Sequence, residues 1–165
     1  MKRRIFTNCF LVRGVADGRV KEVCLAMKKR GFGAGMWNGS GGKLNDGESV
    51  DEAAIREVNE ELGTRLTKMS KRAEISWYIR EEDKLVECFV YFGEEWDGEP
   101  KETEEMAPKW FGVEEIPYDQ MWKSDREWLA EVLRGRKIRA KYTYAREGGE
   151  VEERSLENLN CSEIK

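Results

Sequence analysis

The sequence predicts an α+β fold, in which a mixed β-sheet is combined with two main helices. Three observations support this prediction: strand-like runs come in pairs around short turns, two segments carry helix start and stop signals, and these segments are set between the hairpins. At 165 residues the chain can bury a core without disulfides or a structural metal. We expect one domain over residues 1–157 and a flexible C-terminal tail over residues 158–165.

The predicted strands are runs that are rich in aromatic and β-branched residues. Asp17-Gly18 suits the tight turn of a first hairpin, the polar stretch REED separates the strands of a second, and Gly148-Gly149 separates those of a third. The short run APKWFGV adds one more strand. The predicted regions are 4–14 and 19–29, then 73–96 with its central turn, then 107–113, and finally KIRAKYTYAR paired with EVEERSLENL.

The first predicted helix covers residues 50–62. Ser49 followed by Glu52 forms a capping box, and Gly63 is a fitting C-terminal stop. The residues between them are strong helix formers. This segment is therefore the most clearly marked element of the chain.

The second predicted helix covers SDREWLAEVLRG, residues 124–135. Ser124 suits the N-cap position, and Gly135 suits the C-terminal end. Apolar residues recur between them at helical spacing, so one face of this helix should pack on the sheet.

Three glutamates, Glu57, Glu60 and Glu61, crowd one turn of the first predicted helix, where Arg56 is the only basic residue. At 100° per residue these acids adjoin the predicted buried face. Like charges at this spacing destabilise a helix, so a divalent cation is the natural compensation, and hard oxygen ligands select Mg²⁺ or Mn²⁺. The residues predicted for the buried face are Ala54, Ile55, Val58 and Leu62.

A glycine-rich loop leads into this helix. GFGAGMWNGSGGK, residues 31–43, has six glycines in thirteen positions, which lets the backbone approach a ligand closely. The loop can place a backbone carbonyl, for which Gly41 is the candidate, and Lys43 beside the acids and a bound phosphate chain. The basic stretch MKKRG, residues 27–31, could also bind a small polyanion, although a solvated strand end is the simpler interpretation.

Composition excludes several classes of protein. The net charge of −4 argues against a protein that coats nucleic acid, and no apolar run approaches the ~18 residues that span a bilayer. We expect a cytosolic protein. There is no histidine, so the base that activates water must be a carboxylate or a metal-bound hydroxide. The cysteines are widely spaced and are interpreted as free, mostly buried thiols: Cys9, Cys24, Cys88 and Cys161.

The acid-rich helix and its loop resemble the signature of the Nudix hydrolases. The match runs from Gly42 through Glu48 to Arg56-Glu57-Val58-Asn59-Glu60-Glu61-Leu62-Gly63, and departs where Thr64 replaces the usual aliphatic residue. The resemblance implies an α/β/α sandwich and metal-assisted attack of water on a phosphorus atom of a nucleoside diphosphate derivative. It assigns the metal ligands as Glu57, Glu60 and Glu61, with Gly41 and Glu105, and gives Arg56 and Glu48 the role of orienting the acids.

Two further segments, MKKRGFGAGMWNGSGGK and EMAPKWFGVEEIPYDQMW, resemble the branch of this family that hydrolyses oxidised purine nucleoside triphosphates such as 8-oxo-dGTP. By that resemblance Asn38 reads the purine edge, Phe32 and Trp122 form apolar and stacking walls, and Lys28 lies near the phosphates. Thr7 and Asn8 belong to the pocket floor. The remaining pocket positions include the departures Trp77, Val86 and Ser124, beside a retained Asp125.

We expect a monomer that binds Mg²⁺ and a small nucleotide, but no nucleic acid polymer and no membrane. Two alternatives stay open at this point. One is a Nudix enzyme for another substrate, such as ADP-ribose or an undamaged nucleotide, which should gain nothing from Trp122 and Asn38. The other is a non-catalytic nucleotide-binding module, and the intact acids count against it.

Overall fold

The computed structural model describes residues 1–160, 162 and 163 of the chain. Within this part, short 3₁₀ turns at Val113–Glu115 and Tyr118–Gln120 precede the second helix. None of the described helices is long and apolar enough to cross a membrane. In chain order the elements are β1 (Lys2–Arg13), β2 (Glu22–Lys28), β3 (Trp37–Asn38), α1 (Val50–Leu62), β4 (Arg65–Ile79), β5 (Lys84–Asp97), β6 (Met106–Gly112), α2 (Asp125–Leu133), β7 (Ile138–Tyr144) and β8 (Val151–Asn158).

The described strands form one mixed sheet in the order β3-β2-β1-β5-β4-β7-β8, and β6, outside this order, also pairs with β2 in an antiparallel arrangement. The pairs β1–β5 and β4–β7 are parallel, whereas the hairpins β4–β5 and β7–β8 are antiparallel. Strands β1 and β2 are also antiparallel, so the three predicted hairpins are confirmed, and the first turn has the expected conformation, with φ of 53° at Asp17 and 75° at Gly18.

The sheet separates two apolar layers, as alternation along β1 illustrates. Phe10 packs edge-on against Trp128 of α2, with ring centroids 6.1 Å apart. Cys9 and Leu11 point to the opposite face, where they pack with Val58 of α1. One helix thus covers each face, which confirms the predicted sandwich of a mixed sheet and two helices.

Helix α1 begins and ends where the sequence predicts. Ser49 and Glu52 form both hydrogen bonds of the capping box, and Gly63 takes a left-handed conformation with φ of 68°. The prediction for Ile55 was wrong, because its side chain is 38% exposed. Ile55 lies about 120° around the helix from Glu61, and Glu61 is itself at the centre of the buried face.

Other boundaries also differ from the expectation. Strand β4 begins at Arg65 rather than near residue 73, with register irregularities in its first half. Ser124 occupies the N-cap position of α2, as predicted, but its hydroxyl makes no capping hydrogen bond. Asn158 is the last residue of β8, and the buried Leu159 donates its N–H to the carbonyl of Lys137 at 2.7 Å.

Three of the four cysteines, Cys9, Cys24 and Cys88, are buried free thiols, as predicted. Burial raises the pKa of Cys9 and Cys24 to about 12, so both remain protonated at neutral pH. Cys161 and the end of the predicted tail, residues 164 and 165, lie outside the described residues.

Candidate active site

A cavity of about 550 Å³ opens on the α2 side of the sheet. Its lining comes from β1, the end of β2, the glycine-rich loop, the β4–β5 hairpin and the segment that leads into α2. A second cavity, of about 290 Å³, lies over β4, β5 and β7, where Arg139 pairs with Glu74 at 2.8 Å. The larger cavity contains the predicted pocket residues Thr7, Lys28, Phe32, Asn38, Trp77, Val86, Trp122, Ser124 and Asp125.

Glu61 links α1 to the wall of this cavity. Its side chain is buried, and its Oε1 accepts hydrogen bonds from the N–H of Gly41 at 2.7 Å and the hydroxyl of Ser40 at 3.2 Å. Burial raises the pKa of Glu61 to about 7, while the Gly41 N–H opposes that rise. A buried carboxyl at this position is costly for the fold and is therefore a candidate functional group.

Arg56 holds the other acids of the helix. Its guanidinium bonds Glu48 twice, at 2.7 and 2.9 Å, and also contacts Glu57 at 2.8 Å and the exposed Glu60 at 3.3 Å. The hydrogen bonds from Arg56 lower the pKa of Glu48 to about 2, so Glu48 is ionised at neutral pH. Arg56 also donates to the Lys43 carbonyl at 3.1 Å, which ties the loop to the helix.

Loop and helix are in close contact at Gly42. A Cβ atom on this residue would lie 2.4 Å from Oε1 of Glu57, and one on Gly41 would lie 1.9 Å from the carbonyl oxygen of Thr7. Only glycine fits at Gly41, because the clash there is with backbone, whereas a side chain at Gly42 would displace the Glu57 carboxylate. The dense glycines of the loop thus permit the close backbone approach that the sequence predicts.

The predicted metal ligands lie near one another without converging. In residues 1–160, 162 and 163 no three of these side chains come close enough together to hold a metal ion. Arg56 attracts Glu57 and Glu60, whereas Glu61 turns toward the loop. Glu105 is near enough to Glu57 to help raise its pKa, although burial is the main cause of that shift.

The floor of the cavity carries a fixed amide. Oδ1 of Asn38 accepts hydrogen bonds from the N–H of Gly39 and from Nδ2 of Asn8, both at 2.8 Å. Beside it, the buried hydroxyl of Thr7 has no hydrogen-bond partner among the described residues. The structure therefore brings Thr7, Asn8 and Asn38 together, and all three line the cavity.

Two of the departures from the oxidised-purine branch meet in space. Nε1 of Trp77 donates to the hydroxyl oxygen of Ser124 at 3.0 Å, and Ser124 is fully buried. The neighbouring Asp125 accepts a hydrogen bond from Nε1 of Trp128 at 3.1 Å through its Oδ1. Its Oδ2 is buried and has no partner among the described residues. Burial raises the pKa of Asp125 to about 7.

Phe32 and Trp122 stack on each other at the mouth of the cavity, with centroids 5.2 Å apart and an interplanar angle of 22°. A base between two rings would need them roughly 7 Å apart, because each stacking contact takes about 3.5 Å. In this arrangement a base can only stack on the other face of Trp122. Phe32, which is 65% exposed, then supports the indole from outside.

Sequence reasoning missed several residues of the site. Ser40 was not singled out, although its place between two glycines of the loop was a usable signal. Met36, Met121 and Tyr144 also line the cavity. No local pattern distinguishes these three from core residues, because they meet the pocket only through tertiary packing.

Comparison with known proteins agrees with this architecture. A solved structure of a MutT protein from Bacillus halodurans superimposes with a TM-score of 0.76, at 26% identity, and the match covers 93% of this chain and 97% of that one. A family model described as the NUDIX domain matches residues 7–132. The chain therefore belongs to the Nudix family.

Two relatives are similar to this chain over most of its length. The oxidized purine nucleoside triphosphate hydrolase of Danio rerio is 41% identical over 128 residues, which are 78% of this chain and 80% of the relative. The protein of the same name from Mus musculus is 38% identical over 118 residues, which are 72% of this chain and 76% of the relative. The likeness thus extends well beyond the acid-rich helix.

Proposed function

We propose that this Nudix hydrolase cleaves oxidised purine nucleoside triphosphates, such as 8-oxo-dGTP, to the monophosphate and pyrophosphate, and so removes them from the nucleotide pool. The main support for this proposal is that the acid cluster and the predicted base pocket meet at the same cavity. The buried Glu61 accepts a hydrogen bond from Gly41, which lines the cavity, and the same cavity is lined by Trp122 and by a buried Asp125 whose Oδ2 has no partner among the described residues. Phosphate chemistry and base recognition can therefore act on one bound nucleotide.

The oxygen donors of the acid cluster suit a divalent cation, as Nudix hydrolases generally use, and we assign Mg²⁺, around which the separate carboxylates would have to converge. Glu57, Glu60 and Glu61, with Glu105 and the Gly41 carbonyl, supply the hard oxygen donors that Mg²⁺ prefers. Burial raises the pKa of Glu57 and Glu61 and so disfavours their ionised forms. A nearby cation would offset this effect, because it favours the ionised carboxylates. When bound, the ion would supply a water of lowered pKa and neutralise phosphate charge.

The chain's own residues would position the reactants. Arg56 and the ionised Glu48 hold the acid cluster against the loop, and Lys28, on the cavity wall near Glu61, can pair with the phosphates. The base would stack on Trp122 and present its edge to Asn38 and Asp125. An aromatic face and a few placed polar groups are the usual means of binding a purine.

The test is a panel of nucleoside triphosphates, oxidised and undamaged, together with ADP-ribose, assayed with Mg²⁺ for release of monophosphate and pyrophosphate. We expect 8-oxo-dGTP to give the highest kcat/KM. Glu57→Gln should abolish turnover, whereas Glu114→Gln, an exposed glutamate of a 3₁₀ turn, is the matched control and should not. Preference for ADP-ribose or an undamaged nucleotide would replace the substrate assignment, and binding without turnover would favour the non-catalytic module.

The remaining parts of the hypothesis stay predictions. We expect a monomer that acts in the cytosol on a small nucleotide, with no nucleic acid polymer as substrate. Sedimentation of the purified protein and cell fractionation would test these expectations separately.

A further inference from the structure

Asn8 occupies a special position on the cavity floor. It is a buried residue of β1, and its Nδ2 donates to Oδ1 of Asn38 at 2.8 Å. A Cβ on the adjacent Gly39 would lie 2.2 Å from Oδ1 of Asn8, so the side chain fits only because residue 39 is glycine. The two amides are therefore packed against each other in one arrangement.

The orientation of the Asn38 amide follows from its other partner. The backbone N–H of Gly39 also bonds Oδ1 of Asn38 at 2.8 Å, and an N–H can only donate, so the atom that it meets must be the oxygen. With two donors on that oxygen, the Nδ2 group of Asn38 remains to face the cavity. It makes no hydrogen bond to a protein acceptor in the described part of the chain.

Another wall of the cavity offers a carboxyl group for a base. The hydroxyl oxygen of Ser124 accepts a hydrogen bond from Nε1 of Trp77, while Oδ2 of Asp125 is buried without a partner among the described residues. The pocket thus presents a donor of fixed direction, from Asn38, and a carboxyl, from Asp125. Purines differ in what they present to such a pair: guanine carries an accepting O6 where adenine carries a donating amino group.

We propose that Asn8 is a positioning residue that, together with the N–H of Gly39, holds Asn38 as a hydrogen-bond donor, so that the pocket prefers purines with a carbonyl at C6 to purines with an amino group there. This inference rests on the proposed function and names the purine class within it. The Nδ2 group of Asn38 can donate a hydrogen bond to a carbonyl oxygen O6. An amino group at C6 would instead place a second donor against it. Leaving buried donors unpaired is what makes such a site reject the wrong analogue.

The experiment compares kcat/KM for 8-oxo-dGTP and 8-oxo-dATP, which share the oxidised C8. Asn8→Asp keeps the shape but replaces the donor by an acceptor, so the Asn38 amide should turn its nitrogen toward it. The 8-oxo-dGTP to 8-oxo-dATP ratio should fall by about 10-fold or more, chiefly through KM. Asn8→Leu removes one of the two restraints and should lower the ratio by about 3-fold. Asn160→Asp, at an exposed position, is the control and should not change it.

Uniform loss of activity on both nucleotides, with the ratio unchanged in Asn8→Asp and Asn8→Leu, would mean that Asn8 is merely structural and would overturn the inference. Melting temperatures of the variants show whether they remain folded. Calorimetric binding of 8-oxo-dGMP and 8-oxo-dAMP without metal separates the two proposals. A base preference that depends on Asn8 in a protein without turnover would refute only the proposed function, whereas turnover with an unshifted preference would refute only this inference.

Discussion

Replacing Asp125 with asparagine should make the protein more stable at pH 8 and a poorer enzyme. The carboxyl is 2% exposed, and only its Oδ1 has a partner among the described residues, Nε1 of Trp128. An amide keeps that acceptor and removes an ionisable group whose pKa burial raises from 3.8 to about 7. At 1.36 kcal/mol for each pH unit, ionising it inside the fold costs up to roughly 4 kcal/mol above pH 7.

The pH dependence follows from the direction of this shift. The folded state binds the Asp125 proton more tightly than the unfolded state, so the contribution to stability is complete below about pH 4 and is lost as the pH rises to about 7. Asp125→Asn has no ionisable group at this position, so its stability does not fall in this way as the pH rises. The difference in the free energy of unfolding between Asp125→Asn and the parent protein should therefore be near zero at pH 4, increase up to about pH 7 and stay constant above that pH. We expect roughly 1–3 kcal/mol at pH 8, because cavity water should reduce the full cost.

The assay is denaturant unfolding of both proteins between pH 4 and pH 8, with turnover measured on the same samples. For the preferred oxidised purine, kcat/KM should fall ~10- to 1000-fold, the value of one or two hydrogen bonds to a charged group, while a pyrimidine triphosphate is barely affected. Asp97→Asn, at an exposed position, is the control for stability. A stability difference that is independent of pH would refute the burial argument, and equal losses on every nucleotide would place the base pocket elsewhere.

Three further perturbations test other parts of the site. Glu61→Gln should remain folded, with an equal or higher melting temperature because a buried acid is removed, yet lose at least ~100-fold in turnover; a folded variant with near-normal turnover would contradict its role. Chelation by EDTA should stop hydrolysis without changing the far-UV circular dichroism, since the core does not depend on a metal; loss of that signal would show otherwise. Thr64→Val should raise the free energy of unfolding by about 1 kcal/mol, or the Tm by roughly 2–4 °C, because the fully buried hydroxyl has no partner among the described residues. The control variant Thr67→Val, at an exposed position, should leave the stability unchanged.

Local signals predicted the parts of the fold that local interactions determine. The limits of α1 follow from the capping box at Ser49 and the left-handed Gly63, and the first turn follows from Asp17-Gly18. The pairing of β1 with β5, far away in the sequence, has no such local signal. Strand β3 has only two residues, which is too short for any periodicity to reveal.

The site shows the same division. The acid cluster could be predicted because its spacing on one helix is a local property. The hydrogen bond between Trp77 and Ser124 could not, because it joins residues 47 positions apart. The sequence favoured Ser124 as a helix cap, but burial against Trp77 determines its partner, so tertiary packing overrides the local preference.

The contacts of Gly41 and Gly42 limit how this enzyme can be altered. Any side chain at Gly41 would overlap the Thr7 carbonyl, and any at Gly42 would push into Glu57. Changes of substrate preference, whether by selection or in the laboratory, should therefore avoid these two positions. They should appear instead on the opposite wall, where Trp77 and Val86 meet the base pocket through side chains that can be exchanged without moving the backbone.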